Sequence, residues 1–201
     1  MATNFPTNID TFTDQTSSDL ITSAKWNNLQ DSIEALEVKV GADNSTVTTS
    51  HDYKLAELAK IGKIKARAYR NAAQDIDATS STKVLIDTIS FDTEGVVDTT
   101  NSRITPSLPG YYQVSAQVYI KNVPDREMVL ASIRKNGIGV SAGSGVRGGA
   151  QGHGGSVVSG LIYMNGETDY LELSVYNSHS SALALDAGAS YQNYISIVGP
   201  F

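Results

Sequence analysis

Residues 110–120 have the sequence GYYQVSAQVYI, and this stretch decides the fold of the chain. Two kinds of side chain alternate along it, which is typical of a β-strand with one buried face. The side expected to face a core consists of Tyr112, Val114, Ala116, Val118 and Ile120. The opposite side carries tyrosine, glutamine and serine, so we expect it to face outward.

The same two-residue period recurs from residue 63 to the C-terminus, with no helical pattern between the strands. Strands are predicted at residues 64–70, 83–87, 89–92, 127–135, 155–163, 169–176, 183–185 and 191–198. Core positions predicted in the later strands are Leu171, Leu173, Val175, Ile195 and Ile197. The pair Asn136-Gly137 indicates a tight hairpin. Eight to ten short strands at close spacing predict an all-β sandwich or barrel.

Residues 22–40 form the one strongly helical segment. Thr22 or Ser23 can cap its start, and Gly41 can end it. Its apolar residues recur at spacings of three and four, the heptad pattern of a coiled-coil seam. The predicted seam consists of Trp26, Leu29, Ile33, Leu36 and Val40. We expect its partners to be the same helix in other copies of the chain; the alternative is that the helix lies on its own domain. A second short helical turn is predicted at residues 51–59.

The residues before this helix are polar. Pro6 and the many Thr, Asn and Asp residues disfavour a helix in residues 1–19. Phe5, Ile9 and Phe12 nevertheless recur every three or four residues. We interpret this segment as an extended arm whose three apolar side chains dock on another surface; the alternative is a frayed terminus.

Charge and composition exclude several classes of protein. The formal net charge is −6, and residues 1–60 hold nine acidic against four basic residues. This balance argues against nucleic-acid binding, which needs clustered Lys and Arg. The chain has no cysteine for disulfides or thiolate metal sites, and no stretch reaches the ~18–20 apolar residues of a membrane span. Without the pattern of a signal peptide, we expect folding in a cytoplasm.

Residues 63–201 contain an ordered series of motifs that resembles the jelly-roll head of the complement-globular-head and tumour-necrosis-factor family. The motifs are residues 66–68 (ARA), 103–106 (RITP), 110–115 (GYYQVS), 134–137 (RKNG), 169–173 (DYLEL) and 194–200 (YISIVGP). The resemblance implies an antiparallel jelly-roll sandwich that forms a tight homotrimer, typically on a stalk. No calcium-ligand cluster stands out, so the metal found in some relatives is not expected here, and neither is a cofactor.

Residues 4–58 resemble a module of bacteriophage structural proteins. The matching segments are residues 4–12 (NFPTNIDTF), 28–37 (NLQDSIEALE), 39–41 (KVG), 45–50 (STVTTS) and 52–55 (DYKL). The family often has a longer His-containing segment before the helix, which is absent here or replaced by residues 18–26. The resemblance implies that residues 1–62 are an arm and coiled-coil stalk attached to a virion and that residues 63–201 are the head.

Two segments invite a chemical interpretation. Residues 139–143 match G-x-S-x-G, but a hydrolase elbow needs a helix after the serine, and SGVRGGAQGHGG does not favour one. Residues 143–155 contain seven glycines. This segment is either an exposed loop, with Arg147 and His153 facing a receptor, or a surface where small residues let neighbouring backbones approach, within or between subunits.

The three histidines do not cluster with acids, so no metal site is expected.

Tyrosine is unusually frequent, with ten residues against four phenylalanines. Tyrosines that are not core residues are favoured at subunit contacts and binding faces. The candidates are Tyr111, Tyr119, Tyr163, Tyr176 and Tyr191.

The expected function is structural and not enzymatic: a homotrimeric bacteriophage fibre or spike, located in the virion after assembly in the host cytoplasm. We expect the N-terminus to bind other virion proteins (capsid, portal or neck, or tail). The head would contact a host cell-surface receptor, glycan or protein, with no nucleic acid bound and no membrane insertion. The main alternative is a capsid decoration or head-fibre protein that coats or stabilises the shell. Two further alternatives are an enzyme acting on host-surface glycans and a cellular or spore-coat adhesin.

Overall fold

The computed structural model describes residues 22–41, 44–147 and 152–201. The arm that carries Phe5, Ile9 and Phe12 lies outside the described residues. The chain divides into two compact units, Met1–Lys60 and Ile61–Phe201. We refer to them as the helical unit and the head.

The helical unit contains α1 (Ser23–Val40) and α2 (His51–Leu58). The Thr22 side chain caps α1 by accepting a hydrogen bond from the Lys25 N–H at 3.3 Å. Gly41 ends α1 with a φ of +84°, which favours glycine, and its N–H donates to the Glu37 carbonyl at 2.7 Å.

A buried serine organises the turn between the two helices. Ser50 is fully buried and caps α2, since its hydroxyl accepts from the Tyr53 N–H at 3.2 Å. The same hydroxyl bonds the Ser45 hydroxyl at 3.2 Å, while the Ser45 N–H donates to Asp52 at 3.0 Å. A side chain on Gly41 would meet the Ser50 hydroxyl at 2.8 Å. The turn is therefore closed by small polar residues.

The head consists of fourteen strands within its described residues. In chain order they are β1 (Ile64–Tyr69), β2 (Asp75–Ile76), β3 (Ser80–Lys83), β4 (Thr88–Asp92), β5 (Val97–Asp98), β6 (Arg103–Ile104), β7 (Pro109–Val123), β8 (Met128–Lys135), β9 (Ile138–Ala142), β10 (Val146–Arg147), β11 (Gly152–Asn165), β12 (Leu171–Asn177), β13 (Leu183–Ala184) and β14 (Tyr194–Gly199).

All strand pairs are antiparallel. One sheet has five strands in the order β11-β7-β14-β1-β4, and its longest ladder runs from Gly152 opposite Val123 to Asn165 opposite Pro109. A second sheet has seven strands in the order β10-β8-β12-β6-β5, with β3 also paired to β12 and β9 to β8. Strands β13 and β2 form a separate two-stranded sheet. This mainly β, antiparallel architecture is the predicted one.

Residues from both large sheets form one hydrophobic core. Strand β7 contributes Tyr112, Val114, Ala116, Val118 and Ile120, each with no exposed surface. The other positions expected in the core also belong to it, with exposed fractions of 3% or less: Leu171, Leu173, Val175, Ile195 and Ile197. Tyr112 keeps its hydroxyl hydrogen-bonded, to the Leu108 carbonyl at 2.9 Å, and burial raises the pKa of this phenol to about 12.

The structure differs from the predicted strand at residues 83–87. Strand β3 ends at Lys83, and the next four residues cross from the seven-stranded sheet to the five-stranded one. Val84 and Ile86 are buried in the core during this crossing. The Asp87 N–H donates to the Tyr69 carbonyl at 3.1 Å, where pairing with β1 begins. The alternating apolar residues thus belong to a buried crossover here. Alternate side chains can be buried without hydrogen bonding of the segment to a neighbouring strand along its length.

Candidate functional site

The outward side chains of the five-stranded sheet form a continuous surface, which we call the sheet face. Strand register aligns them in rows across the sheet. The rows are Leu161-Gln113-Val198-Lys65, then Ser159-Ser115-Ser196-Arg67-Phe91, then Val157-Gln117-Tyr194-Tyr69. Serines occupy the middle row on β11, β7 and β14, so small side chains line that part of the face.

Large apolar and aromatic side chains flank this serine row. Val157 and Leu161 on β11 are 59% and 61% exposed, and Phe91 on β4 is 49% exposed. Phe91 lies on the edge strand opposite β11. Isolated exposed apolar residues are ordinary, but Val157 and Leu161 are near each other on β11 and form a patch of the kind that marks an interaction surface.

Two tyrosines extend the patch toward the end of the sheet where the chain terminates. The Tyr111 and Tyr163 rings meet edge to face, with centroids 5.4 Å apart, and both side chains are about half exposed. The Phe201 N–H donates to the Tyr111 carbonyl at 3.0 Å, so the last residue continues the same corner. Phe201 itself is 60% exposed.

The opposite end of the sheet face is polar and aromatic. The Arg67 guanidinium lies 3.8 Å from the centroid of the Tyr194 ring, a cation–π contact, and also donates to the Ser190 carbonyl at 3.0 Å. Gln117 donates to the Tyr191 carbonyl at 3.2 Å. Tyr191 is 68% exposed. Tyrosine and arginine are the residue types that most often dominate binding energy at interfaces.

Helix α1 leaves its predicted seam open within one copy of the chain. Trp26, Leu29, Ile33, Leu36 and Val40 are between 47% and 55% exposed. No residue of α1 is buried. Leu36 and Val40, with Glu37 and Gly41, line a shallow groove at the end of the helix. The stripe expected to need a partner therefore has none in the same chain among the residues that the structure describes.

The described part of the glycine-rich segment consists of residues 143–145, which connect β9 to β10, and of residues in two strands. Residues 146–147 form β10, with Arg147 opposite Met128 on β8, and β11 begins at Gly152. A Cβ on Gly143 would lie 2.2 Å from the Val157 carbonyl oxygen, one on Gly145 2.5 Å from the Met128 sulfur, and one on Gly154 2.7 Å from Val123. Of the two interpretations, close backbone packing within the subunit applies to these glycines, while residues 148–151 lie outside the described part.

His153 lies at the start of β11 and stacks on Tyr119, with ring centroids 5.4 Å apart. Nearby, Lys121 pairs with Asp186 at 2.7 Å. The pKa of Asp186 is lowered, first by the hydrogen bond from Lys121 and to a lesser degree by the charge of His153. His153 is thus exposed at the end of the sheet face opposite Tyr111 and Tyr163, stacked on the Tyr119 ring.

A second charged network fixes the two turns at the other end of the head. Asp169 accepts hydrogen bonds from Lys135 and Asn136, both at 2.7 Å, and from the Asn165 N–H at 2.9 Å. The bonds from Lys135 and then Asn136 lower the pKa of Asp169. This carboxylate ties the Asn136-Gly137 hairpin to the turn that follows β11.

The G-x-S-x-G motif lies on β9 and is not followed by a helix. The Ser141 hydroxyl donates to the Ser159 carbonyl at 2.9 Å, which joins β9 to β11. The serine therefore has a structural partner. Over residues 22–41, 44–147 and 152–201 there is no group of three or more side chains that could hold a metal ion. Within the same ranges, no helix combines the length and apolar character needed to cross a bilayer.

Known structures share the fold of the chain. The crystal structure of murine APRIL at pH 5.0 is 9% identical, with a TM-score of 0.51 over 68% of this chain and 98% of that one. Eiger TNF from S. frugiperda is 11% identical, with a TM-score of 0.50 over 69% of this chain and 92% of that one. No protein-family model matches, and no curated protein matches.

At this level of identity the similarity shows the fold alone, and the fold is a tumour-necrosis-factor-like jelly roll. The predicted jelly roll is thereby confirmed. These structures do not bear on the bacteriophage module predicted in residues 4–58.

The sequence pattern alone does not predict that Val157, Leu161 and Phe91 are surface residues. In β11, Val157-Val158 and Leu161-Ile162 are pairs of adjacent apolar residues, so alternation does not show which member faces the core. The structure buries Val158 and Ile162 and exposes their neighbours. Adjacent apolar pairs in a strand are the signal that could have indicated a face apolar on both sides.

Proposed function

We propose that this chain is the subunit of a homotrimeric bacteriophage surface spike. The observation that carries the proposal is that each unit leaves an apolar surface open: the α1 seam in the helical unit and the flanks of the sheet face in the head. Closed symmetric assembly is the usual way in which one chain covers such surfaces with copies of itself. A heptad seam and a jelly-roll face can both be closed around a single three-fold axis.

The assignment to a virion rests on the resemblance of residues 4–58 to a module of bacteriophage structural proteins. In this proposal the arm with Phe5, Ile9 and Phe12 docks on capsid, portal, neck or tail proteins. The head then projects outward and binds a host cell-surface glycan or protein. Three sites per spike and many spikes per particle would make weak individual contacts sufficient for adhesion.

The surface available to a host receptor is what the trimer leaves uncovered. His153 and Tyr119 lie at the end of the sheet face opposite Tyr111 and Tyr163, and Tyr191 is 68% exposed. These aromatic side chains combine an apolar ring with a polar group, which suits recognition of a glycan or a polar protein surface.

The first experiment measures the mass of the purified chain by native mass spectrometry at micromolar concentration. We expect three times the subunit mass of 21.4 kDa. A folded chain that stays monomeric would refute the proposal.

The second experiment labels intact virions with an antibody against the head and images them. Label at the tail, with block of adsorption by purified trimer, supports host attachment. Label over the capsid faces, with no block of adsorption, would instead assign the chain to decoration of the shell. Virions without label would contradict both roles.

A further inference from the structure

Two turns at one end of the head contain the dipeptide Asn-Gly. Asn136-Gly137 closes the hairpin between β8 and β9, and Asn165-Gly166 joins the end of β11 to the turn that follows. Asparagine before glycine is especially prone to deamidation, because glycine has no side chain to shield its backbone nitrogen. Each pair is therefore a candidate site of covalent modification.

The reaction needs only the chain and water. The backbone nitrogen of the glycine attacks the side-chain carbonyl carbon of the asparagine and forms a bond to it. The bond from that carbon to the side-chain nitrogen breaks, and ammonia leaves with the proton of the glycine N–H. Water then opens the cyclic imide at one of its two carbonyls, which gives aspartate or isoaspartate. The carboxamide must be free to turn toward the glycine for the attack to begin.

Burial does not protect the first pair. Asn136 and Gly137 are both exposed, and their φ angles of +54° and +79° are those of a tight hairpin turn. A Cβ placed on Gly137 would have no neighbouring atom within 4 Å. Solvent therefore reaches the reacting atoms, and protection must come from the hydrogen bonds of the side chain.

The Asn136 carboxamide is bonded at both ends. Its nitrogen donates to the Asp169 carboxylate at 2.7 Å, and its oxygen accepts from the Tyr170 N–H at 3.0 Å. The acceptor is itself fixed, since Asp169 is 7% exposed and pairs with Lys135 at 2.7 Å. Hydrogen bonds to a charged group are stronger than those between neutral groups. The nitrogen that must leave as ammonia is thus held by the carboxylate.

The Asn165 carboxamide is held by other partners. Its oxygen accepts from the backbone N–H groups of Glu167, Thr168 and Asp169, each at 3.0 Å. Its nitrogen donates to the Thr168 hydroxyl at 2.8 Å. The Asp169 carboxylate contacts only the backbone N–H of Asn165, at 2.9 Å. Removing this carboxylate therefore leaves the carboxamide of Asn165 with all its partners.

We infer that Asn136 is a deamidation site that the Asp169 carboxylate keeps unreactive in the folded head, whereas Asn165 is protected without that carboxylate. This protection operates within one copy of the chain and does not depend on assembly. Its loss would affect both turns. Either product places a second carboxylate beside Asp169, where like charges repel, and isoaspartate also lengthens the backbone of the hairpin.

The first experiment compares the full chain, folded and unfolded in urea, during incubation in mildly alkaline buffer. Trypsin cuts after Lys135 and Arg147, so the two asparagines lie in different peptides. Mass spectrometry of these peptides gives a deamidation rate for each site. We expect both rates to be much lower in the folded chain. Equal rates at Asn136 in the folded and unfolded chains would overturn the protection.

The second experiment removes the carboxylate. In folded Asp169→Ala, we expect Asn136 to deamidate roughly 10- to 100-fold faster than in the parent chain, the factor that corresponds to loss of a hydrogen bond to a charged group. Asn165 should accelerate much less. Asp169→Asn retains an oxygen that can accept from Asn136, so it should restore part of the protection. An unchanged rate at Asn136 in Asp169→Ala would overturn the role of the carboxylate.

The control for general loss of stability is Gly143→Ala. Its new methyl group would lie against the Val157 carbonyl oxygen, far along the chain from either asparagine. Both deamidation rates should stay close to those of the parent. Equal acceleration of the two sites, in this variant and in Asp169→Ala alike, would assign the reaction to global unfolding and overturn the inference. Should Asp169→Ala not fold, Asp169→Asn decides: faster reaction at Asn136 alone supports the role of Asp169, and equal change at both sites contradicts it.

Discussion

Three glycines of residues 143–155 have close neighbours where a side chain would begin. Gly143 has the tightest surroundings, with the Val157 carbonyl oxygen 2.2 Å from where a Cβ would lie. Gly139, four residues earlier on the exposed strand β9, has open space at the same point. The two glycines therefore differ in what a methyl group would meet, although the sequence around them looks alike.

We expect Gly143→Ala to lower the free energy of unfolding of the head by about 1–3 kcal/mol, because the new methyl group forces β11 away from the segment that follows β9. The matched variant Gly139→Ala should change it by less than about 0.5 kcal/mol. Urea unfolding of both variants measures the difference. Equal stability of the two variants would contradict close packing at Gly143.

The Asp169 carboxylate holds two turns together, so the stability of these turns depends on its ionisation and hence on pH. The hydrogen bond from Lys135 is the largest cause that lowers the pKa of Asp169 in the folded head. Its stabilising effect is complete above the unfolded-state value of about 3.9 and is lost as pH falls through the lower folded-state value.

The variant Asp169→Asn should unfold more easily at neutral pH, by about 1–3 kcal/mol, because the Lys135 ammonium loses a charged acceptor. Between pH 7 and pH 3 its stability should fall less than that of the parent chain. Asp125→Asn, which removes an exposed carboxylate 3.8 Å from Arg126, is the control and should leave neutral stability unchanged. Parallel pH profiles for Asp169→Asn and the parent would rule out this role of the carboxylate.

At the scale of the element, α1 has apolar side chains on its seam and also outside it, and only those on the seam are expected to contact other copies. Ile33 lies on the seam, 47% exposed, and Val38 lies outside it, 58% exposed. Both are β-branched and have similar helix propensities, so a change to the same residue affects the helix itself almost equally. Only the seam position would face other copies.

We expect Ile33→Asp to abolish protection of the backbone amides of α1 against hydrogen exchange, because three carboxylates would meet at the axis of the coiled coil. Val38→Asp should retain that protection. Hydrogen exchange of the full chain, followed by mass spectrometry of its peptides, measures the protection of α1 separately from that of the head. If the two variants exchange alike, α1 has no seam facing other copies.

At the scale of the whole molecule, the five-stranded sheet buries one face in its own core and exposes an apolar flank on the other. Leu161 is 61% exposed on this flank, whereas Leu85, 46% exposed, lies in the crossover between β3 and β4, outside the sheet face. Both side chains are exposed in a single copy of the chain, so a polar substitution at either position should leave folding unchanged. A difference between the two variants would therefore report on assembly.

We expect Leu161→Glu to raise the dissociation constant of the trimer about 10- to 100-fold, since a buried apolar contact would become an unpaired charge. Leu85→Glu should leave assembly unchanged. Sedimentation equilibrium measures both constants. A trimer indifferent to Leu161→Glu would show that the flank of the sheet face is not its interface.

The resemblance of residues 63–201 to a known family implied the jelly roll. The sequence pattern by itself determined the alternating strands of a sandwich or barrel, the core residues of β7, β12 and β14, and the two helices. Each follows from short-range periodicity, since a strand or helix with one apolar side has only one way to bury it. Tertiary structure alone decided that residues 84–87 cross between sheets, that Gly143 faces a carbonyl, and that Val157 and Leu161 point outward. Those features depend on which strand, distant in the sequence, packs against each residue. The residues that are adjacent in the sequence do not specify that contact.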